Sequence, residues 1–358
     1  MKNEYSIGLV FLGASDFVNS NDLSSSPAFL ASYQKIKNYF LHDENYNIKE
    51  DNCLDLFNSD LSPDKMDDKL REFLNNIKEK EITDLIFYYV GHGCYHRRQG
   101  FILATKSLKD DNKTLSGLLF SNLANRISTS AEKIRTYFLL DCCFSAEATN
   151  SFQGTSATSV IEKQFISDFP SKGTTMLCSS SKDLPSIIVI ERNITMFTEG
   201  LEKALVSGSI ALKSRFLTLR ELSNVTFNNI KNLNPGNDVR PEIHTPIQPE
   251  GDIADRIRLF PNMAILSKPF SIDERAQNIR NSLASNELLI VCNLLMDFGK
   301  DFDLQNKHDY EIIILVSNCR DLENEKNNIE RAEYLEERKR YYIEILNIIK
   351  KIEIQDVY

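Results

Sequence analysis

The sequence predicts an α/β fold of three layers, a mostly parallel sheet between helices, followed by a small C-terminal α-helical bundle. Three observations carry this. Short apolar runs rich in aromatic and branched residues recur at 5–13, 85–90, 137–140 and 174–180. They are too short for helices and lack alternation, as strands covered on both faces do. Segments with apolar residues at helical spacing lie between them, the order of a layered α/β domain. The last 88 residues, 271–358, show no strand pattern and hold 18 acidic against 12 basic residues, with long amphipathic stretches.

The first run, 5–13, follows Lys2 and superficially resembles a signal-peptide core. Ser6 and Gly8 interrupt it and no cleavage site follows, so it reads as the first buried strand. Ser26 and Pro27 open a helix over 26–41 in N-cap and N1 positions. Ser62 and Pro63 open the next, with Met66, Leu70, Phe73, Leu74 and Ile77 on one face. Strand 85–90 then ends in Gly91-His92-Gly93. A helix over 116–128, with Leu119, Leu123 and Ile127 inward, crosses back to strand 137–140, which ends in Asp141-Cys142-Cys143.

Residues 149–159 are rich in Ser, Thr, Gly and Ala without periodicity and read as a loop. Strand 174–180 and a cleft-lining loop over 181–192 follow. Helices are predicted over 195–206 and 217–233, the second opened by a Thr218–Glu221 capping box. Prolines 235, 241, 246, 249 and 261 exclude a helix or central strand over 234–261, and His244 between them reads as structural or solvent-exposed. A boundary at 263–270 separates a domain over 1–265 from one over 271–358. In the latter, helical faces run through Ile279 and Leu283; Leu288, Leu289, Cys292, Leu295 and Met296; Tyr310, Ile313, Ile314, Ser317, Asn318 and Leu322; and Tyr342, Ile345, Leu346 and Ile349. This describes a bundle of three or four helices.

His92 and Cys143 are the candidate catalytic residues because each closes an apolar strand, and open α/β sheets place their ligands at strand C-terminal ends. A thiol attacks a carbonyl as thiolate, and an imidazole in reach can take its proton and return it to the leaving amine. Gly91 and Gly93 let the backbone turn and approach a substrate. The N–H groups of Gly93 and Cys143 are the candidate oxyanion donors. Taken singly, His92 or Cys143 reads as an ordinary packed residue. A zinc site from His92, Cys94, His96, Cys142 and Cys143 matches no usual ligand spacing, so no metal is expected.

The pairing of G-H-G with D-x-C-x-S, 51 residues from His92 to Cys143, resembles the caspase-like cysteine peptidases, above all the metacaspase and bacterial branch. The resemblance implies a caspase-like three-layer sandwich and endopeptidase activity on protein substrates. It also selects Cys143 over Cys142, which then points into the core. Phe144 and Ala146 stand where metacaspases have His and Gly. Asp141 has two readings: a structural cap on the helix that follows, or, by resemblance, the floor of an S1 pocket taking a substrate Arg or Lys. An R-P-E-x-H segment like residues 240–244 closes the peptidase domain of bacterial members. Some metacaspases respond to calcium, but Asp110 and Asp111 are too slight a signal for such a site, and no cofactor is expected.

The pattern of the tail resembles the effector-associated domains fused to bacterial conflict-system proteases, which implies an adaptor that recruits the peptidase to a sensor or partner protein bearing a similar bundle. The role implied is an effector in anti-phage defence or programmed cell death. Net charge is −9, with no Lys/Arg stripe, against nucleic-acid binding. No run is long enough to span a membrane. Seven cysteines without regular spacing suggest a reducing, cytoplasmic compartment. A catalytically silent scaffold of the same fold is the reading from another class. A thiol hydrolase of small esters or amides is a third.

Overall fold

The structure, a computed structural model, describes residues 6–42, 46, 48–144, 157–170, 173–179, 188–236, 239–246, 248, 251–266, 272–285, 287–303, 307–326 and 328–355; for 143–144, 157–160 and 355 it describes the backbone alone. Two compact units emerge, Met1–Gly208 with Phe216–Pro261, and Ser209–Arg215 with Asn262–Tyr358.

The first unit is α/β. Its strands are β1 (Ile7–Gly13), β2 (Cys53–Asp55), β3 (Asp84–His96), β4 (Gly100–Leu103), β5 (Leu118–Leu119), β6 (Arg135–Phe144), β7 (Thr174–Cys178), β8 (Ile188–Val189), β9 (Ile194–Thr195), β10 (Phe216–Thr218), β11 (Glu242–His244) and β12 (Arg258–Pro261). The main sheet runs β11-β7-β6-β3-β1-β2, with β1, β2, β3, β6 and β7 parallel and β11 antiparallel on one edge. Successive residues serve opposite faces. Val10, Phe87, Phe138 and Met176 join a core with helices Pro63–Glu79, Phe120–Ser130 and Ala157–Asp168. On the other face Phe11 packs edge-on against Tyr33 of helix Pro27–His42, and Tyr88 bonds to Thr198 of helix Met196–Ser207.

Several predicted elements appear as read. Ser26 Oγ accepts the Ala28 N–H at the start of helix Pro27–His42. The five inward residues of Pro63–Glu79 are all buried, and the Thr218–Glu221 capping box is complete in both directions on helix Leu219–Leu233. Others differ. β3 does not end at His92 but runs to His96. It pairs with β6 through Gly93 and with β1 through Val90, and β4 takes over the β1 side from Gly93. Leu118 and Leu119 extend that hairpin as β5, so the following helix starts only at Phe120. Residues 157–159, read as loop, open helix Ala157–Asp168, while 145–156 lie outside the described residues. Of the cleft loop, 180–187 are also outside them. The Pro-rich segment holds β11, a short helix Ile253–Arg256 and β12; β11 lies at a sheet edge, where nearby prolines are tolerated.

The second unit contains helices Ile272–Ala284, Leu288–Phe302, Asp309–Glu325 and Arg331–Gln355 around one apolar core. The face predicted for the third is corrected. Ile312, Leu315, Val316, Cys319 and Leu322 are buried, whereas Tyr310, Ile313 and Ile314 are exposed. The run Glu311–Ser317 is apolar at five successive positions, 312–316, so its periodicity has no unique phase. Residues 209–215 strap onto this unit. The fully buried Asn262 donates from Nδ2 to the carbonyls of Ser209, Leu212 and Ser214 and accepts the Ser209 N–H. Arg215 pairs with Asp301, which also meets Arg275 at 3.0 Å. No helix among the described residues is long and apolar enough to cross a membrane.

Candidate active site

The register of β3 against β6 decides which residues meet. At the start of both strands the Arg135 guanidinium grips the buried Asp84 carboxylate through Nε at 2.7 Å and a second nitrogen at 2.6 Å. Such a two-point pair has one geometry, and Asp84 and Arg135 are register partners. Eight residues further along both strands, His92 partners Cys143. Neighbouring strands lie about 4.8 Å apart, so the two candidate residues are backbone neighbours. A slip of one residue would bring Cys142 or Phe144 opposite His92 and turn the wrong face outward. The Cys143 side chain lies outside what the structure describes.

His92 is held from three sides. Its ring sits 5.0 Å from that of Phe17 and 5.1 Å, edge-on, from that of Phe29. Nε2 lies 2.9 Å from the Ser24 carbonyl oxygen. A carbonyl only accepts, so Nε2 is the donor, and in the neutral ring Nδ1 is left as the proton-accepting nitrogen. The His92 carbonyl accepts the Tyr89 hydroxyl at 2.5 Å and the Ala104 N–H at 3.0 Å, which fixes the backbone behind the ring.

The flanking glycines serve packing. Gly91 has φ +153°, and a Cβ there would lie 3.1 Å from the Tyr89 hydroxyl. At Gly93 a Cβ would sit 2.6 Å from Phe101 Cε2 and 2.7 Å from Cys142 Sγ. Gly93→Ala is expected to lose about 1–3 kcal/mol by overpacking, measured by urea unfolding; unchanged stability would mean that Phe101 and Cys142 yield freely. Cys142 is buried in this core, its N–H donating to Ser179 Oγ at 3.1 Å.

Asp141 lies within β6 and is fully buried. A helix for it to cap would start within 145–156, which lie outside the described residues. One carboxylate oxygen accepts the hydroxyls of Thr195, the N-cap of helix Met196–Ser207, and of Thr198, the latter at 2.6 Å. Thr198 therefore accepts from the Tyr88 hydroxyl, 2.6 Å away. Burial, then the Asp141 charge, pushes the Tyr88 phenol well above its ordinary value. The helix dipole favours an anion at this end. Asp141→Asn is expected to destabilise the unit by about 1–3 kcal/mol, because the Thr195 and Thr198 donors lose a charged acceptor. A lost preference for basic P1 residues at unchanged melting temperature would instead support the S1 reading.

Of the five zinc candidates, the Cys143 side chain lies outside what the structure describes. Cys94 is buried and His96 exposed, and among the described residues no three His, Cys, Asp or Glu side chains are grouped to hold a metal ion. His244, read as structural or solvent-exposed, is buried between Glu162 and Glu242, at 3.6 and 3.9 Å. Sequence reasoning missed Phe17, Ser24 and Phe29, which hold His92 from 63–75 residues away; nothing in their local pattern marks them. Thr195 and Thr198 carried a signal, an N-cap spacing at the start of a helix.

No family model and no curated protein matches the sequence. Among solved structures, the chain is similar to the crystal structure of caspase-1 from Spodoptera frugiperda at 12% identity and a TM-score of 0.46, covering 68% of this chain and 88% of that one. It is also similar to a protein from Geobacter sulfurreducens at 12% identity and a TM-score of 0.42, covering 72% of this chain and 98% of that one.

Proposed function

We propose that this chain is a caspase-like cysteine endopeptidase in which Cys143 is the nucleophile and His92 the general base. One observation carries the reading: His92 and Cys143 are register partners on adjacent strands, with His92 Nε2 bonded to the Ser24 carbonyl and Nδ1 therefore the basic nitrogen. Nδ1 takes the thiol proton and the thiolate adds to the scissile carbonyl; the N–H groups of Gly93 and Cys143, the oxyanion donors expected from the sequence, lie in the paired stretch of β3 and β6, where the ladder engages them. The proton on Nδ1 passes to the leaving amine as the C–N bond breaks. Water, deprotonated by the same nitrogen, then hydrolyses the thioester. The chemistry needs no cofactor.

Cleavage after Arg or Lys remains part of the proposal through the resemblance of Asp141 to an S1 acid; its burial between two threonines favours the structural role. The bundle is proposed as an adaptor for a partner protein carrying a similar bundle, in a cytoplasmic defence or cell-death response. Its support is a groove lined by Tyr310, Ile314 and Leu315 on one helix and Ile348 and Ile354 on another. A non-catalytic scaffold is the competing reading. The test is to incubate the full chain and its Cys143→Ala form with a mixed peptide library, with and without calcium, and map every cut by mass spectrometry. Cuts that vanish in Cys143→Ala support the peptidase, and their P1 residues read the specificity. Cuts that persist would remove Cys143 as nucleophile.

A further inference from the structure

The Ser24 carbonyl that orients His92 belongs to a loop between β1 and helix Pro27–His42, and a bare loop is a poor anchor for a catalytic group. This one is tied internally. Ser26 N–H donates to the Ser15 carbonyl at 2.9 Å, Phe17 N–H to Ser25 Oγ at 2.9 Å, and Leu23 N–H to Ser20 Oγ at 3.1 Å. It is also clamped from a segment some ninety residues away. Asp110 uses both carboxylate oxygens on it, one accepting the Ser20 hydroxyl at 2.5 Å and the other the Asn21 N–H at 2.6 Å. Lys113, three residues on, pairs with Asp22 at 2.6 Å.

These contacts form an unbroken line. Asp110 holds the Ser20 hydroxyl, whose oxygen accepts the Leu23 N–H; Leu23 is buried, and the adjacent residue supplies the carbonyl that accepts from His92 Nε2. Every link between the clamp and the imidazole is a hydrogen bond or the two-residue backbone run from Leu23 N–H to the Ser24 carbonyl. The loop also carries Phe17, whose ring flanks His92. Loss of the clamp would free the acceptor that keeps the proton on Nε2 and let the ring change tautomer.

We propose that Asp110 is a positioning residue for the base: through Ser20 and Asn21 it fixes the turn that presents the Ser24 carbonyl to His92. The proposal rests on the reading of His92 as the general base. The Ser20 hydroxyl and the loop N–H groups also hold the Asp110 carboxyl below its ordinary range, so it is ionised at neutral pH. Ionised oxygens give the shorter, stronger bonds a clamp needs.

The test uses the full chain with labelled histidine, whose five imidazoles are few enough to assign by NMR. Nitrogen shifts report the tautomer of His92, and mass spectrometry of the Cys143 peptide reports its rate of alkylation by iodoacetamide at pH 7. Asp110→Ala and Ser20→Ala are each expected to shift His92 from the Nε2–H form towards an average of both tautomers and to slow Cys143 alkylation about tenfold, the loss that follows from sub-ångström misplacement of a catalytic group. Asp110→Asn, which keeps one acceptor, falls between. Ser20→Ala removes a single hydroxyl and keeps the test decisive if Asp110→Ala folds poorly. His92→Ala is the reference. If it slows alkylation while Asp110→Ala and Ser20→Ala leave tautomer and rate at the wild-type value, the positioning role is overturned; if His92→Ala itself changes nothing, the base reading fails instead.

Discussion

His92→Ala is expected to lower the rate of Cys143-dependent peptide cleavage by about 10³-fold, within the range that a positioned general base contributes. Without the imidazole, the thiol must ionise alone. Cys143→Ala should remove cleavage entirely. Cys142→Ala should leave kcat/KM within a few-fold, because that thiol is buried against Gly93 and Phe101. Measuring kcat/KM for the three variants on one cleaved peptide separates the neighbouring thiols. Full activity in His92→Ala would remove the histidine from the mechanism, and loss in Cys142→Ala with retention in Cys143→Ala would reverse the assignment of the nucleophile.

Asp301→Leu is expected to destabilise the C-terminal unit by about 3–5 kcal/mol, the usual result of removing one partner from a buried ion pair. Asp301 is 8% exposed and Arg275 6%. Removing the carboxylate strands the Arg275 and Arg215 guanidinium groups; Asp297, whose charge also acts on Arg275, accepts the backbone N–H of Arg215 at 3.3 Å. Asp301→Leu combined with Arg275→Met should recover most of the loss, since a buried pair replaced by apolar groups is often neutral. Because the chain has two units, hydrogen exchange of amides in helices Leu288–Phe302 and Asp309–Glu325 is the suitable measurement, rather than one global midpoint. Unchanged protection in Asp301→Leu would mean that the arginines find water without opening the bundle.

Much of the architecture was readable because the relevant forces are local. The apolar runs at 85–90 and 137–140 could be little else than buried strands, and helix starts are marked within three residues by the Ser26 and Thr218–Glu221 caps and by Pro63 at the first helical position, where the Ser62 side chain makes no cap. Short-range reasoning failed where two states are locally equal. The run 312–316 supports several helical phases, and packing against neighbouring helices chose the one that leaves Tyr310, Ile313 and Ile314 outside. Leu118 and Leu119 suit a helix or a strand, and pairing with β4 made them a strand.

By itself, the sequence determined the alternation of strands and helices and the separate helical tail, and it singled out His92 and Cys143, the residues we propose as base and nucleophile. Only the tertiary structure decided that they are register partners, because the Asp84–Arg135 pair that sets the register joins residues 51 apart. It likewise decided which imidazole nitrogen is basic and where the Asp141 carboxylate goes. Those outcomes depend on Ser24, Thr195 and Thr198, distant residues whose hydrogen bonds exist only once the sheet has brought the loops together. Hydrogen bonds act over about 3 Å of space and carry no trace in sequence spacing.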